Sequence, residues 1–155
     1  MMMKSHKITM KKIRQNVFET NSSSSHSISI SFNDSKDLLD NSLIPNEDGN
    51  IVLRGQDFGW EIEDYNDAET KAVYMALYAT RYAGNESEEF TTTLIEVIKK
   101  QTKCQEVILP SEDEGHIDHQ SVDSEDYHHV FYNPDNLRQF IFNRESYLHT
   151  DNDNH

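Results

Sequence analysis

Cysteine and long apolar runs are scarce in this sequence. The 155-residue chain has one cysteine, Cys104, which cannot close an internal disulfide or supply a thiolate metal cluster. We therefore expect a protein of the reducing cytoplasm. No apolar run approaches the roughly 20 residues that a membrane-spanning helix needs, and the basic N-terminus is not followed by an apolar signal core. The sequence indicates neither membrane insertion nor export.

Positive charge is also scarce, because 14 Lys and Arg face 28 Asp and Glu for a formal net charge of -14. Five of those cations precede the first acid, Glu19, so nine remain against 28 acids after Arg14. Such a surface repels nucleic-acid phosphates, and direct DNA binding is not expected. It suits the basic surface of a partner protein, although acidity also keeps a small protein soluble.

The length and the aromatic content favour one folded domain. The mean hydropathy is low, at -0.80, yet seven Phe, seven Tyr and one Trp supply the bulky anchors that disordered chains lack. We expect a basic flexible extension at residues 1–15, a single α+β domain at 16–150 and a polar C-terminal tail at 151–155.

Periodicity predicts the main elements of that domain. Residues 26–32 alternate, which predicts a half-buried strand with His26, Ile28 and Ile30 on one face and serines on the other. Further strands are predicted at 51–53, 106–109 and 146–150, with 58–63 pairing with 51–53 as a hairpin. Helices are predicted at 68–83, 87–103 and 134–143, and an acidic loop from 111 to 132. The fold class is α+β, a small mainly antiparallel sheet covered by two or three helices.

The stretch ETNSSSSHSISI, residues 19–30, is the first candidate site segment. The residues before the strand offer hydroxyls and backbone N–H groups that could wrap an anion; they are Asn21, Ser22, Ser23, Ser24 and Ser25. His26 follows at the entry of the strand, and we expect it at the edge of the sheet, where an imidazole can move a proton or bind a metal. A flexible linker and a core histidine are the simpler interpretations.

Two more polar segments could complete a site. Asp118 and His119 are adjacent in the acidic loop and offer a carboxylate and an imidazole. Asp151 and Asp153 point the same way if the tail is extended. If all three segments converge, His26, Asp118 and His119 would be catalytic, the serine segment would bind the ligand, and Asp151 and Asp153 would hold a divalent metal ion.

Three quoted segments resemble a set of small uncharacterised bacteriophage and prophage proteins. They are RQNVFETNSSSSHSISI, HIDHQS and FIFNRESYLHTDNDN, which together cover about a quarter of the chain and lie toward both of its ends. In that family Met10 would be the usual start and the nine residues before it an extension. The resemblance implies a phage or prophage origin and no particular activity.

Two functional hypotheses follow. The first is a phage or prophage accessory protein that binds a host or phage protein through its acidic surface. The second is a small nucleotide- or phosphate-handling enzyme that resembles a metal-dependent hydrolase. Its site would be formed by the serine segment, Asp118, His119 and the C-terminal aspartates. Convergence of the three polar segments on one concavity would favour the enzyme.

Overall fold

A computed structural model describes residues 7–9, 24–59, 61–117 and 124–152 of the chain. In order, the elements of these ranges are β1 (Lys7–Thr9), β2 (Ser24–Ser31), β3 (Asn50–Val52), β4 (Asp57–Phe58), β5 (Glu63–Tyr65), α1 (Ala68–Arg81), α2 (Ser87–Thr102), β6 (Glu106–Ile108), β7 (His116–Ile117), α3 (Ser124–Tyr132), α4 (Pro134–Phe142) and β8 (Tyr147–Asn152). Short 3-10 turns lie at Lys36–Leu38 and Gly84–Glu86.

The main sheet has four strands in the order β1-β2-β8-β5, and all three pairings are antiparallel. The predicted α+β class is confirmed. Helix α1 lies in the centre of the core, because nearly all of its residues from Ala68 to Ala79 are buried. α2 and α4 pack around it, and the buried stripe predicted for α2 is confirmed at Phe90, Leu94, Val97 and Ile98.

The predicted hairpin between 51–53 and 58–63 is wrong. β3 pairs in parallel with β6, Ile51 opposite Val107, and β4 pairs in parallel with β7, Phe58 opposite Ile117. The physical reason is the α1–α2 pair, which lies between the partners in the chain and returns it in the same direction. Residues 63–65 of the proposed hairpin instead join the main sheet as β5, beside β8.

The predicted acidic loop contains two elements that the prediction missed, strand β7 and helix α3. Within α3, the buried residues Tyr127, Val130 and Phe131 follow the i, i+3, i+4 spacing of an amphipathic helix. The helix forms because these side chains reach the core beside α1 and α2, although acids dominate the sequence around it. Asn133 accepts a hydrogen bond from Asp135 N and caps α4 directly afterwards, as the Asn-Pro pair predicts.

The ends of the domain extend further than the prediction placed them. β1, within the predicted extension, pairs with β2, and β8 continues through Asp151 and Asn152 of the predicted tail. The serine side of β2 is also less exposed to solvent than the prediction of a half-buried strand implies. Ser29 and Ser31 are both buried. Ser31 donates through its hydroxyl to Glu145 and through its backbone N–H to the Ser146 hydroxyl.

Each helix within the described ranges is too short or too polar to traverse a lipid bilayer.

Candidate functional site

His26 lies on β2 of the main sheet, and its predicted position at the sheet edge stays a prediction. Thr150 of β8 stands opposite His26, whereas the described pairing of β1 with β2 spans residues 29–31. The alternation of the strand turns the imidazole toward the helices, where it contacts Tyr74 of α1. The side chain is 2% exposed. Its Nδ1 lies 2.9 Å from the Tyr74 hydroxyl, and its Nε2 lies 3.4 Å from the backbone O of Gly59.

These contacts fix which groups donate and which accept in a buried chain of hydrogen bonds. A carbonyl can only accept, so the contact with Gly59 requires a proton on Nε2, and Nδ1 then accepts from Tyr74. Burial, followed by the neighbouring Tyr127, raises the pKa of Tyr74 well above its ordinary value, so this phenol keeps the proton it donates. The Tyr127 hydroxyl lies 2.6 Å from that of Tyr74. His26 is thus part of the core, and the predicted catalytic role remains a prediction.

The opposite face of the sheet carries a row of polar residues at the β2–β8–β5 pairing. Ser27 stands opposite His149, and His149 stands opposite Asp64 on the other side. Directly opposite residues of antiparallel strands share a face, so these three side chains lie on one surface. Ser25 stands opposite Asp151, two residues further along the same strands. We call Ser27, Asp64, His149 and Asp151 the polar face.

The imidazole of His149 lies between two carboxylates on the polar face. Its Nδ1 is 2.6 Å from Asp64 Oδ1, and its Nε2 is 3.4 Å from Asp151 Oδ2. The side chains of His149 and Asp151 are 27% and 18% exposed, whereas that of Asp64 is 66% exposed. A carboxylate that holds one ring nitrogen can orient an imidazole for proton transfer.

The predicted site residues fall into two groups. Asn21, Ser22, Ser23, Asp118, His119 and Asp153 lie outside the described residues. Of the remainder, Ser24 and Ser25 belong to β2, and Asp151 faces Ser25 across the β2–β8 pairing. Two of the three segments therefore meet, namely the end of the serine run and the start of the predicted tail, while the roles assigned to all of these residues stay predictions.

No group of three or more His, Cys, Asp and Glu side chains in the described ranges is arranged to hold a metal ion. Asp151 contacts His149 instead. The sequence reasoning missed Asp64 and His149. The alternation of Tyr147, His149 and Asp151 could have placed His149 on the same face as Asp151.

An acidic surface adjoins the polar face. Residues 55–70 contain six acids and no Lys or Arg: Asp57, Glu61, Glu63, Asp64, Asp67 and Glu69. All of these acids except Glu61 are exposed, and Glu61 is half-buried. The β4–β7 pairing brings the loop that carries Glu112, Asp113 and Glu114 beside this segment. We call residues 55–70 and 112–114 together the acidic surface.

Two arginines near the acidic surface contact the loop that carries residues 112–114. Arg54 lies 3.6 Å from Glu114, and Arg81 donates hydrogen bonds to backbone carbonyls of the loop, including Ser111 O at 2.7 Å. These contacts hold the loop in place. In these contacts Arg81 donates to backbone carbonyls, so it forms no ion pair with a carboxylate of the acidic surface.

Lys71, which follows the acidic segment, is completely buried. Its Nζ donates to the backbone O atoms of Asn143 at 2.9 Å and Ser146 at 2.8 Å. Burial lowers the pKa of Lys71 to about 7, against the opposing charges of Asp40 and Asp67. A neutral amine still has two N–H donors, enough for both carbonyls. Lys71 therefore contributes less than a full positive charge near neutral pH.

The fold and these surfaces define a small α+β domain with a buried histidine, a polar sheet face and an acidic surface. No protein-family model matches the chain, and neither a curated protein nor a solved structure matches it.

Proposed function

We propose that this protein binds a basic surface of another protein through its acidic surface. The observation that carries this proposal is the presence of six acids and no Lys or Arg in residues 55–70. The neighbouring Arg81 and Lys71 are used inside the fold. Electrostatic complementarity of this kind steers association and selects a partner of opposite charge.

The described contacts support a preformed binding surface. Tyr65 donates to Glu61 at 3.0 Å, and Glu61 also accepts from the backbone N–H of Gly59. The ring of Tyr65 packs edge-on against Phe58, with 5.7 Å between the ring centroids. Because these contacts fix the segment before a partner arrives, binding needs little ordering of this chain.

The sequence resemblance supports the origin of the protein, and the acidic surface supports the basic character of its partner. We propose a phage or prophage origin and an accessory role in the cytoplasm of a bacterial host, where the partner is a host or phage protein with a basic surface. Acidity that only maintains solubility is the competing explanation, and it requires no particular acids.

The test compares two triple variants with the same change of charge. One variant, Glu61→Gln/Glu63→Gln/Asp64→Asn, neutralises the acidic surface, and the control, Glu47→Gln/Asp48→Asn/Glu96→Gln, neutralises three exposed acids elsewhere. Each protein is immobilised and exposed to a bacterial lysate. We expect the wild type and the control to retain a protein that the acidic-surface variant loses, and added salt to release it, because exposed charges are screened beyond about 8 Å at physiological ionic strength. Equal retention by all three proteins would refute the proposal.

The polar face supports a second candidate function, a phosphate-handling enzyme. The specific observation is the contact of His149 with Asp64 at 2.6 Å, with Ser27 opposite the same histidine. A carboxylate-oriented imidazole beside a hydroxyl is an arrangement that proton transfer to or from a nucleophile uses. The site would differ from the predicted one, because His149, whose two ring nitrogens contact Asp64 and Asp151, replaces His26 as the imidazole that transfers a proton.

His116 offers a matched control for this second function, since it also contacts an aspartate, Asp57, at 3.0 Å. Hydrolysis of p-nitrophenyl phosphate with magnesium is measured for the wild type, His149→Gln and His116→Gln. If the polar face is catalytic, His149→Gln abolishes hydrolysis and His116→Gln does not. Absence of hydrolysis by the wild type, or equal activity of the two variants, would exclude this function for that substrate class.

A further inference from the structure

Strand β5 lies at the end of the main sheet. Among the described strands it pairs only with β8, so its outer side directs backbone N–H and C=O groups away from the sheet. We propose that this edge takes up an extended, Lys- and Arg-bearing segment of the partner as an added strand. This inference rests on the proposed function and names the chemistry of the partner and its mode of binding.

The charges along β5 select the occupant. Glu63 and Asp64 are exposed, and no cation occurs between residues 55 and 70. Opposite charges on facing strands contribute roughly 0.2–1 kcal/mol per pair, whereas like charges directly opposite destabilise. A second copy that paired antiparallel through the same edge, centred on Asp64, would set this carboxylate against its own counterpart, so β5 disfavours pairing with itself and favours a basic strand.

An exposed apolar side chain lies next to this edge. Ile62 directly precedes β5 and is 58% exposed, although isoleucine is among the residues most often buried. In an extended chain Ile62 and Asp64 point to the same side. Glu63 points to the other side, so an antiparallel partner segment with two consecutive basic residues followed by an apolar one would set a cation opposite each carboxylate and an apolar side chain opposite Ile62.

The edge is held rigidly from behind. His149 of β8 contacts Asp64 at 2.6 Å, and Thr150 of β8 contacts the backbone O of Glu63 at 3.5 Å. Tyr65 packs against Phe58 on the helix side. β-Strand addition draws its affinity from main-chain hydrogen bonds, and a fixed edge presents them without an ordering cost.

The test uses two synthetic nine-residue peptides, each made of three Lys-Lys-Val repeats. The second peptide has every internal amide N-methylated, so it keeps the side chains and the charge but has no internal main-chain donors. Binding is measured by fluorescence anisotropy, and backbone amide NMR signals locate it. We expect the first peptide to bind roughly tenfold or more tightly than the second, and to shift the signals of residues 63–65.

The protein variants separate this inference from the proposed function. Glu63→Gln/Asp64→Asn should weaken binding of the first peptide roughly 2- to 30-fold, and the control Glu47→Gln/Asp48→Asn should leave it unchanged. Equal binding of both peptides, with loss in the β5 variant, would overturn strand addition and leave the acidic surface as the binding site. No loss in the β5 variant would overturn the basic strand on β5, whereas the proposed function fails only if the acidic-surface triple variant retains the same lysate protein as the wild type. Sedimentation that shows self-association through β5, abolished by the same variant, would also overturn the basic occupant.

Discussion

The imidazole Nδ1 of His26 lies 2.9 Å from the hydroxyl oxygen of Tyr74, within the core between the main sheet and α1. The two rings meet edge-on, with 5.8 Å between their centroids. The Tyr74 hydroxyl also contacts that of Tyr127 in α3 at 2.6 Å. One phenol therefore joins β2, α1 and α3, and the histidine after the serine run connects the sheet to the helices.

Replacing Tyr74 by Phe should destabilise the fold by about 1–3 kcal/mol, the cost of removing one partner from buried hydrogen bonds. The ring packing is retained, so the loss reports the hydroxyl alone. Ser27→Ala, on the other face of β2, should change stability by no more than about 0.5 kcal/mol. Urea unfolding of the three proteins gives the comparison. Equal stability of the wild type and Tyr74→Phe would show that the shared hydroxyl contributes nothing.

Local patterns predicted the parts of the fold whose causes are local. The caps Asp67 and Asn133 accept hydrogen bonds from Thr70 N and Asp135 N, so the starts of α1 and α4 could be read from neighbouring residues. The alternation of β2 correctly turned His26 toward the apolar side. These features depend on spacing within a few residues.

The failures concern relationships between distant residues. The partner of β3 is β6, and only the packing of α1 and α2 between them brings the two strands together. In the same way, the contact between Asp64 and His149 joins residues 85 apart in the chain. Neither residue carries a local signature of that contact, because the register of β5 against β8 creates it.

The burial of Lys71 makes stability depend on pH in a defined direction. Its pKa is about 7 in the folded state, and an exposed lysine titrates near 10.4, so the unfolded chain binds more protons between these values. Stability from this group therefore rises as pH increases from about 7 toward 10, by up to about 4 kcal/mol.

The variant Lys71→Met isolates this dependence. The difference in unfolding free energy between wild type and variant should grow with pH from 7 to 10, because the other ionisable groups cancel. We expect the variant to be less stable at pH 10, since methionine leaves the Asn143 and Ser146 carbonyls without their amine donor. Urea unfolding at pH 7, 8, 9 and 10 measures both curves. A constant difference would contradict a buried amine with a lowered pKa.

Asp40 supports the start of α1 from a distant loop. Its Oδ2 accepts from Ala68 N at 2.9 Å, and its Oδ1 accepts from the backbone and hydroxyl of Ser42. Burial raises the pKa of Asp40, but these hydrogen bonds and the charge of Arg144 lower it more, so the net shift is downward. The stabilisation is therefore present above the ordinary carboxyl pKa and is lost as pH falls through the lowered value.

We expect Asp40→Ala to cost about 1–3 kcal/mol at pH 7, because Ala68 N–H and the Ser42 groups lose their acceptor. Asp37→Ala removes an exposed acid from the same loop and should change stability by no more than about 0.5 kcal/mol. Thermal unfolding at pH 7 and at pH 3 tests both variants. The cost of Asp40→Ala should shrink at the lower pH, and a cost that does not change with pH would argue against the ionised cap.

Gly115 and Gly84 form a matched pair that tests the packing of the loop before β7. Both have a left-handed backbone, with φ of 84° and 61°. A Cβ at Gly84 would meet nothing within 4 Å, whereas a Cβ at Gly115 would lie within 3.0 Å of the backbone N and O of Gln56. Alanine at either position carries a conformational cost of about 1–2 kcal/mol.

Only Gly115→Ala should also separate β7 from β4, because the loop backbone cannot move away without breaking the hydrogen bond from His116 N to Gln56 O, which is 3.2 Å long. Hydrogen exchange at the His116 and Ile117 amides should accelerate in this variant and stay unchanged in Gly84→Ala. The acidic surface depends on the same pairing, since it brings residues 112–114 beside residues 55–57. If both variants lose equal stability and keep the same exchange rates, the close approach of the two backbones does not hold this surface together.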